Sequence, residues 1–440
     1  MGAVAGAAVG ALTKGDSGAI IGGAAAGAAA GCGLALLYKS KLDRLEQLAK
    51  EENLQMQLET LQTEGATPSA APVEAGIVAQ IDDQGMFALG SAKLSVDGER
   101  QVRKLASAFA GKPGEQGSSA ILVVGHTDAT GTAAGNQKLS EQRARAVASI
   151  LAEQGIVAER MYFQGAGASR PIADNGDPLL RGKNRRVEIV EVNDRALLVK
   201  RVNAEQNNPK YLAHGTSTQA VKAAAPQAPM STASKPAAVP APVTVSRSKA
   251  TVDFDGQPAR AVSWNLAQSI TPKRSGFAVV STAYATDIPM SSCDQDRPRL
   301  SGEVKNLATG ETLKDHATRE YLPGMNGRSW AGLVNGHLVT LSPVAVLREN
   351  ATVVQAPKVY VTRDYAKNKG KASHTMSASA NTYEGESAIL YRVFVDQPAQ
   401  APVSCLDVVI RKAGDKSLDG KLYYNDVGES FAAVYTPVRS

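Results

Sequence analysis

The chain has 440 residues, of which 43% are hydrophobic, 20% charged and only 5% aromatic, and its net charge is +6. This length exceeds what one core needs, and the shortage of aromatic side chains favours small domains on low-complexity segments over one large enzyme core. Three cysteines and five scattered histidines exclude a disulfide-rich miniprotein and an all-cysteine zinc site, so we expect no metal and no cofactor.

Glycines at intervals of four dominate the first 38 residues. Gly2, Gly6 and Gly10 begin the pattern, which resumes after a short polar break. This spacing places glycines on one helix face, where two helix backbones approach closely in a membrane. Residues 19–38 also carry no charge over 20 positions, about the length that crosses a bilayer core. We expect residues 1–38 to form membrane-associated glycine-zipper helices that allow a homo-oligomer; the alternative is a flexible tail.

The opening residues lack the basic and apolar segments of a secretory signal, so either the true start lies upstream or the zipper itself is the insertion element. Leucines spaced by three and four then predict an amphipathic spacer helix over residues 39–64. A proline-containing linker over residues 65–75 follows it.

Strand and helix patterns alternate between residues 76 and 195. The pattern predicts strands over 76–81, 120–124, 161–164 and 186–192, and helices over 102–109 and 138–154. Such alternation favours a sheet that is covered by helices.

One charged residue stands out on the second of these helices. Leu139, Arg143, Val147 and Leu151 recur every four residues, so the Arg143 guanidinium shares a stripe with three apolar side chains. A buried guanidinium needs an acceptor, and Asp128 at the end of the preceding strand is the candidate. Two interpretations remain open: a buried Asp128–Arg143 salt bridge, or a clamp that holds the ammonium and carboxylate of one zwitterionic ligand.

The run from Asn136 to Leu151, which contains Leu139-Ser140 and Arg143-Ala144, resembles the peptidoglycan-binding pattern of OmpA-like C-terminal domains. Segments 125–128, 171–175 and 182–189 resemble the same family, and the preceding zipper resembles that of glycine-zipper OmpA-like envelope lipoproteins. The resemblance implies a βαβαββ domain over residues 76–195 that binds the diaminopimelate of a peptidoglycan stem peptide without bond chemistry.

The resemblance also implies the roles of individual residues. Asp128 would hold the diaminopimelate ammonium and Arg143 its carboxylate, and Thr127, Asn136 and Arg186 would line the site. The alternative for Arg186 and for the arginine before it is plain surface charge at a strand end.

Two features depart from the family. Phe87 is followed by Ala88 where many members have an acidic residue, which removes a polar contact and is expected to weaken binding. The lipidated N-terminal cysteine of the lipoproteins is also missing from the matching position. His126 has no second ligand near it in sequence, so we interpret it as structural.

A basic Ala/Pro/Ser-rich linker is predicted over residues 196–250. Seven basic residues and one acidic residue there account for the net charge of the whole chain. The segment is either a solvated spacer or a contact for an anionic polymer or lipid, and the lack of interleaved aromatic residues argues against nucleic acid.

Residues 251–440 change to short β-rich runs separated by Gly, Pro, Asn and Asp, typical of an all-β sandwich-like domain. They resemble no family that we recognise. Cys293 and Cys405 lie 112 positions apart there, and a periplasmic location would allow them to form a disulfide; two buried thiols are the alternative.

The sequence thus indicates a multidomain α+β protein of the bacterial cell envelope, associated with the outer membrane and with periplasmic domains. The zipper is expected to enter a membrane, and the sequence leaves open which one. We expect a non-catalytic tether to peptidoglycan whose C-terminal domain meets an unknown protein partner. The alternatives are an oligomeric structural or pore-forming subunit of a trans-envelope secretion or transfer machine, and a cell-wall enzyme whose C-terminal domain is unrecognised.

Overall fold

The computed structural model describes residues 32–63, 73–110, 119–218, 252–259, 277–279, 290–313, 320–414, 416–426 and 428–440. The predicted glycine zipper therefore lies outside the described residues up to position 31. In the described part of the chain, no helix is both long and apolar enough to cross a membrane.

The described elements comprise four helices and seventeen strands, besides short 3₁₀ turns. The helices are α1 (Cys32–Glu51), α2 (Val96–Phe109), α3 (Ala133–Glu153) and α4 (Arg195–Gln206). The strands up to the start of the C-terminal half are β1 (Met56–Thr63), β2 (Val73–Asp82), β3 (Ala120–His126), β4 (Met161–Gly167), β5 (Arg186–Val192), β6 (Gln257–Pro258), β7 (Phe277–Val279) and β8 (Lys305–Asn306). The remaining strands are β9 (Tyr321–Val334), β10 (His337–Leu347), β11 (Lys358–Thr362), β12 (His374–Glu384), β13 (Ala388–Val395), β14 (Cys405–Arg411), β15 (Ser417–Asp426), β16 (Glu429–Val434) and β17 (Val438–Arg439).

The first sheet has seven strands in the order β7-β1-β2-β5-β3-β4-β8, in which only β3 and β4 run parallel. Its apolar side chains alternate between two cores, as expected of strands that are covered on both faces. Ile121 and Val123 of β3 pack with residues of α2 and α3, whereas Leu122 and Val124 pack with Leu198 of α4. The mixed helix and strand character predicted for this region is confirmed.

The predicted spacer helix over residues 39–64 is wrong beyond Glu51. Asn53 takes a left-handed backbone conformation with φ of 51°, which ends the helix, and the chain reverses into β1. Apolar and polar residues alternate at the period of a strand here, with Leu54, Met56 and Leu58 apolar. This alternation favours the strand β1 over a continued helix.

The predicted linker over residues 196–250 is also wrong in its first part. Asp194 caps α4 by accepting a hydrogen bond from Leu197 N at 2.8 Å, and a 3₁₀ turn at Pro209–Ala213 follows the helix. The rest of that segment, 219–250, lies outside the described residues.

The second sheet has ten antiparallel strands in the order β17-β9-β10-β11-β12-β13-β14-β15-β16-β6. Residues 374–377 of β12 pair with β11, and residues 378–384 pair with β13, so β12 joins two halves of the sheet. Both halves contribute to one core around Trp330 and Tyr391. The predicted β-rich texture is confirmed, but the two layers are one continuous sheet.

Cys293 and Cys405 form a disulfide, as one of the two sequence interpretations predicts. Strand pairing crosses the domain boundary that the sequence predicts at residue 251. β7 pairs with β1 and β8 pairs with β4, so the later half of the chain supplies both outer strands of the first sheet.

Candidate functional site

Three chain segments meet at one edge of the first sheet. The β5 residue Arg186 is paired with Asp82 at the end of β2 and with His126 at the end of β3. The next residues along each segment, Asp83, Thr127-Asp128 and Arg185, therefore leave the sheet side by side. This register brings together residues that are up to 102 positions apart in sequence.

The Asp128 carboxylate is buried and held by three donors. Its oxygens accept hydrogen bonds from the Thr130 backbone N–H at 3.0 Å, from the Thr130 hydroxyl, and from Arg185 Nη1 at 2.7 Å. Burial by itself would raise the pKa of Asp128, but the bonds from Thr130 and Arg185 outweigh it and lower the pKa below its usual value. The group is a carboxylate at neutral pH and attracts cations.

The Arg143 guanidinium is buried at the same edge. Arg143 Nη1 donates to Asp83 Oδ2 at 2.5 Å, Nε donates to the Ser91 carbonyl at 2.9 Å, and Cζ lies 4.8 Å from the centre of the Phe87 ring. Burial raises the pKa of Asp83, against the opposing pull of Arg143 and Arg185.

The structure places Asp128 and Arg143 close together but gives each a different partner from the one expected. Arg143 pairs with Asp83 and Asp128 pairs with Arg185, while Arg185 Nε lies 3.7 Å from Asp83 Oδ1. The salt-bridge interpretation of a direct Asp128–Arg143 pair is therefore not what this structure shows. We call Asp83, Asp128, Arg143 and Arg185 the charge cluster; its four formal charges cancel.

Exposure is uneven within the charge cluster. The Arg185 side chain is 38% exposed, whereas those of Asp83 and Asp128 are each 8% exposed and that of Arg143 is 6% exposed. Arg185 thus forms the solvent-facing cover of two carboxylates that are otherwise enclosed.

Asn136 and Thr127 shape the backbone around Asp128. Asn136 Nδ2 donates to the carbonyls of Asp128 at 3.1 Å and Thr130 at 2.9 Å, which fixes the loop before α3. The Thr127 hydroxyl is buried without a hydrogen-bond partner among the described residues. A buried hydroxyl left unpaired costs free energy, so a group that bonded to it would be stabilised.

Arg186 does not line the charge cluster, contrary to the expectation. Its guanidinium is buried on the α4 side of the sheet, where Nη2 donates to Glu188 Oε1 at 2.8 Å and Nη1 donates to the Arg170 carbonyl at 3.2 Å. The physical reason is the alternation of side chains along an extended chain, which sends Arg185 and Arg186 to opposite sides.

His126 lies in the same interior layer as Arg186, with Nε2 3.2 Å from Glu188 Oε1. Burial, reinforced by Arg186, lowers its pKa to about 4, so the imidazole is neutral at pH 7. Among the residues with described coordinates, no group of His, Cys, Asp and Glu is arranged to hold a metal.

Sequence reasoning missed Asp83 and misplaced the roles of the two neighbouring arginines. The acidic residue expected after Phe87 is absent, and Asp83, four positions before that phenylalanine, supplies the carboxylate to Arg143. Two signals were available: Asp83 lies two positions after a predicted strand, and only one of two successive arginines can face the end of the neighbouring strand.

Comparison with known proteins identifies the domain. Residues 86–185 match the OmpA family, so this part of the chain is an OmpA-family domain. Three members of the charge cluster lie within the matched range, and Asp83 lies just before it.

Three curated relatives illustrate the similarity. Outer membrane protein A of Bordetella avium is 48% identical over 75 residues, or 17% of this chain and 39% of the relative. The probable lipoprotein YiaD of Escherichia coli strain K12 is 47% identical over 75 residues, or 17% of this chain and 34% of the relative. Peptidoglycan-binding protein ArfA of Mycobacterium bovis is 44% identical over 70 residues, or 16% of this chain and 22% of the relative. In each case the match spans less than half of the relative.

Among solved structures, the cell wall anchor of the T6SS from Pseudomonas aeruginosa is 24% identical and covers 34% of this chain and 96% of its own. The TM-score is 0.27, a value at which the likeness carries no functional argument.

Proposed function

We propose that this protein binds peptidoglycan through the charge cluster of its OmpA-family domain, and that the group it recognises is the zwitterionic end of diaminopimelate. That group carries an ammonium and a carboxylate on one carbon. The observation that carries the proposal is a pair of enclosed carboxylates paired with two guanidiniums, of which that of Arg185 is the more exposed.

Binding proceeds as an exchange of partners. The ligand ammonium takes the position of the Arg185 guanidinium on Asp128, which keeps that carboxylate paired. The ligand carboxylate is held by Arg143 and by the released Arg185, both of which present planar N–H donors suited to a carboxylate. Because the cluster and the ligand are each neutral overall, no charge is left buried without a partner.

The loop before α3 provides the remaining recognition. Asn136 holds the backbone of Asp128 and Thr130 in place, so the carboxylate is preorganised and little entropy is lost on binding. The unpaired Thr127 hydroxyl offers a further hydrogen bond inside the site.

The relatives support both the ligand and the location. Their names include outer membrane proteins, lipoproteins and a peptidoglycan-binding protein, which indicates the bacterial cell envelope. All four charged groups of the cluster are engaged in ion pairs, and we assign them binding and no bond chemistry. We infer a non-catalytic tether that fixes an envelope component to the cell wall, with membrane association through residues 1–38 and a protein partner for the second sheet.

The first experiment is co-sedimentation of the full chain with purified sacculi. We expect Asp128→Asn to reduce the pelleted fraction at least tenfold, because the ligand ammonium loses its anionic partner. The matched control is Asp396→Asn, an exposed aspartate in the loop after β13.

Arg143→Gln provides a second, independent change in the same cluster. Because it leaves Asp83 buried without its main partner, circular dichroism must show that the domain is folded. Folded Asp128→Asn and Arg143→Gln proteins that both pellet like the wild type would overturn the proposed site.

A further inference from the structure

The later half of the chain contributes a wall to a cleft beside the charge cluster. We call residues 290–313 the strap. It is tied to the second sheet by the Cys293–Cys405 disulfide and to the first sheet by β8, and Gly302 N donates to the Gly165 carbonyl at 2.7 Å. The strap thus runs along the OmpA-family domain as a fixed part of it.

A series of buried ion pairs holds the strap in position. Arg392 pairs with Asp407 at 2.6 Å and with Asp296 at 2.7 Å, and Asp296 pairs with Arg299 at 3.0 Å. Arg299 then donates to the Ser169 carbonyl of the OmpA-family domain at 3.0 Å, and to the carbonyls of Tyr211 and His214 after α4 at 2.8 Å each. These buried, paired charges anchor the strap between Asp296 and Arg299 to both sheets.

The cleft lies between this segment and the loop before α3. Its volume is about 30 Å³, and it is lined by Gly131, Asn136 and Ser169 on one side and by Arg297 and Leu300 on the other. A volume of that size admits about two water-sized groups, the equivalent of two carboxylate oxygens.

The cleft and the charge cluster are separated by only a few residues. Asn136 lines the cleft and also holds the backbone of Asp128. Gly131 is three positions beyond Asp128, so their Cα atoms lie at most about 11 Å apart. One extended peptide can therefore reach both places.

Arg297 is the charged group that this cleft offers to a ligand. Its neighbours Asp296 and Arg299 are buried and fully paired, whereas Arg297 is exposed and its guanidinium has no ion pair or hydrogen bond within the described ranges. An exposed guanidinium with five N–H donors, on a residue that lines a carboxylate-sized cleft, matches an anionic group.

We propose that Arg297 binds a second carboxylate of the stem peptide whose diaminopimelate occupies the charge cluster. This inference rests on the proposed function and specifies its ligand further. The stem peptide has an acidic residue joined directly to diaminopimelate, which places a free carboxylate one residue from the zwitterion. The site is thus composite: the charge cluster binds the zwitterion of diaminopimelate, and Arg297 of the strap binds the carboxylate of the adjacent acidic residue.

Calorimetric titration of the full chain with three soluble probes tests the proposal. The probes are free diaminopimelate, the alanyl-isoglutamyl-diaminopimelate tripeptide, and the same tripeptide with the isoglutamyl carboxylate converted to an amide. We expect the wild type to bind the acid tripeptide about threefold to tenfold more tightly than the amide, the range of a partly exposed charge pair.

Arg297→Gln should abolish this preference for the acid and leave the affinity for free diaminopimelate unchanged. The matched control is Arg195→Gln, an exposed arginine beyond the far end of β5, about 20 Å of strand from the charge cluster. The control should retain the preference.

The outcomes separate the two proposals. If Arg297→Gln still prefers the acid tripeptide while Asp128→Asn binds none of the probes, the role of Arg297 is overturned and the proposed function stands. If Asp128→Asn binds all three probes like the wild type, the proposed function itself fails.

Discussion

Arg185 and Arg186 are adjacent, carry the same charge, and do different work in this protein. Arg185 lies over Asp128 with 38% of its side chain exposed, whereas Arg186 is buried with Glu188 beneath α4. Residue type and motif position do not distinguish the two. Their roles follow from the register of β5 against β2 and β3, which is a property of the folded sheet.

The interior layer around Arg186 also sets how the protein responds to acid. His126 faces Glu188, Arg186 and Arg170, and burial lowers its pKa to about 4, from an unfolded value near 6.5. Between these pH values the unfolded chain takes up a proton that the folded chain does not. The contribution of neutral, buried His126 to the free energy of unfolding is therefore complete above pH 6.5 and is lost as the pH falls toward 4.

We expect His126 to reduce the free energy of unfolding by about 2 kcal/mol between pH 7 and pH 5. Denaturant unfolding of His126→Gln at both pH values should show a smaller loss than that of the wild type. His374→Gln, at the start of β12, is the control and should keep most of the wild-type loss. Equal pH dependence of wild type and His126→Gln would contradict the assignment.

At the scale of elements, α3 rests directly on the backbone of two strands. A Cβ atom at Gly125 of β3 would lie 2.1 Å from the Ser140 carbonyl oxygen, and one at Gly165 of β4 would lie 2.5 Å from the Gln137 carbonyl oxygen. Both neighbours are helix backbone and have no rotamer to move. This close contact sets the height of α3 above the sheet, and so the position of Arg143.

Gly125→Ala should therefore lower the free energy of unfolding by about 2 to 3 kcal/mol through overpacking. The measurement is urea unfolding, with Gly182→Ala as control, since its added Cβ would meet the flexible Arg185 guanidinium at no less than an ordinary 3.4 Å. We expect the control to stay within about 0.5 kcal/mol of the wild type. A Gly125→Ala protein as stable as the control would show that α3 is free to shift.

The elements around the site were predictable because their patterns are long and local. The helix with Leu139, Val147 and Leu151 on one stripe is observed as α3, and the two residues singled out by the motif resemblance, Asp128 and Arg143, lie in one charge cluster. Asp83 was not predictable from the motif, because its contact with Arg143 spans 60 positions and depends on strand order.

Whole-molecule organisation is where the sequence misled most. The sequence pattern predicts a first domain, a linker and a second domain, but the structure connects these parts. The strap returns to pair with β4 of the first sheet. Leu212, in the predicted linker, packs with Tyr383, Leu390 and Val409 of the second sheet. Composition identifies a linker by its small and polar residues. It contains no information about which distant surface the chain meets afterwards.

The disulfide is the covalent part of this organisation. It closes a loop across a separation of 112 positions, and in the chain-entropy model such a constraint is worth about 4 to 5 kcal/mol. We expect the double variant Cys293→Ala/Cys405→Ala to have a lower midpoint of thermal unfolding than the wild type. Dithiothreitol should lower the midpoint of the wild type and leave that of the double variant unchanged. A midpoint unchanged by both treatments would show that the ion pairs of the strap suffice.

The return of β7 and β8 to the first sheet has a consequence for biosynthesis. Both outermost strands of the seven-stranded sheet are made after residue 276, long after the OmpA-family domain itself has left the ribosome. Until then β1 and β4 are exposed edge strands with unpaired backbone N–H and C=O groups, and nascent chains aggregate through such edges. In a fragment that ends at residue 218, β1 and β4 would remain exposed edge strands permanently. The solubility of such a fragment would be a poor guide to that of the intact molecule.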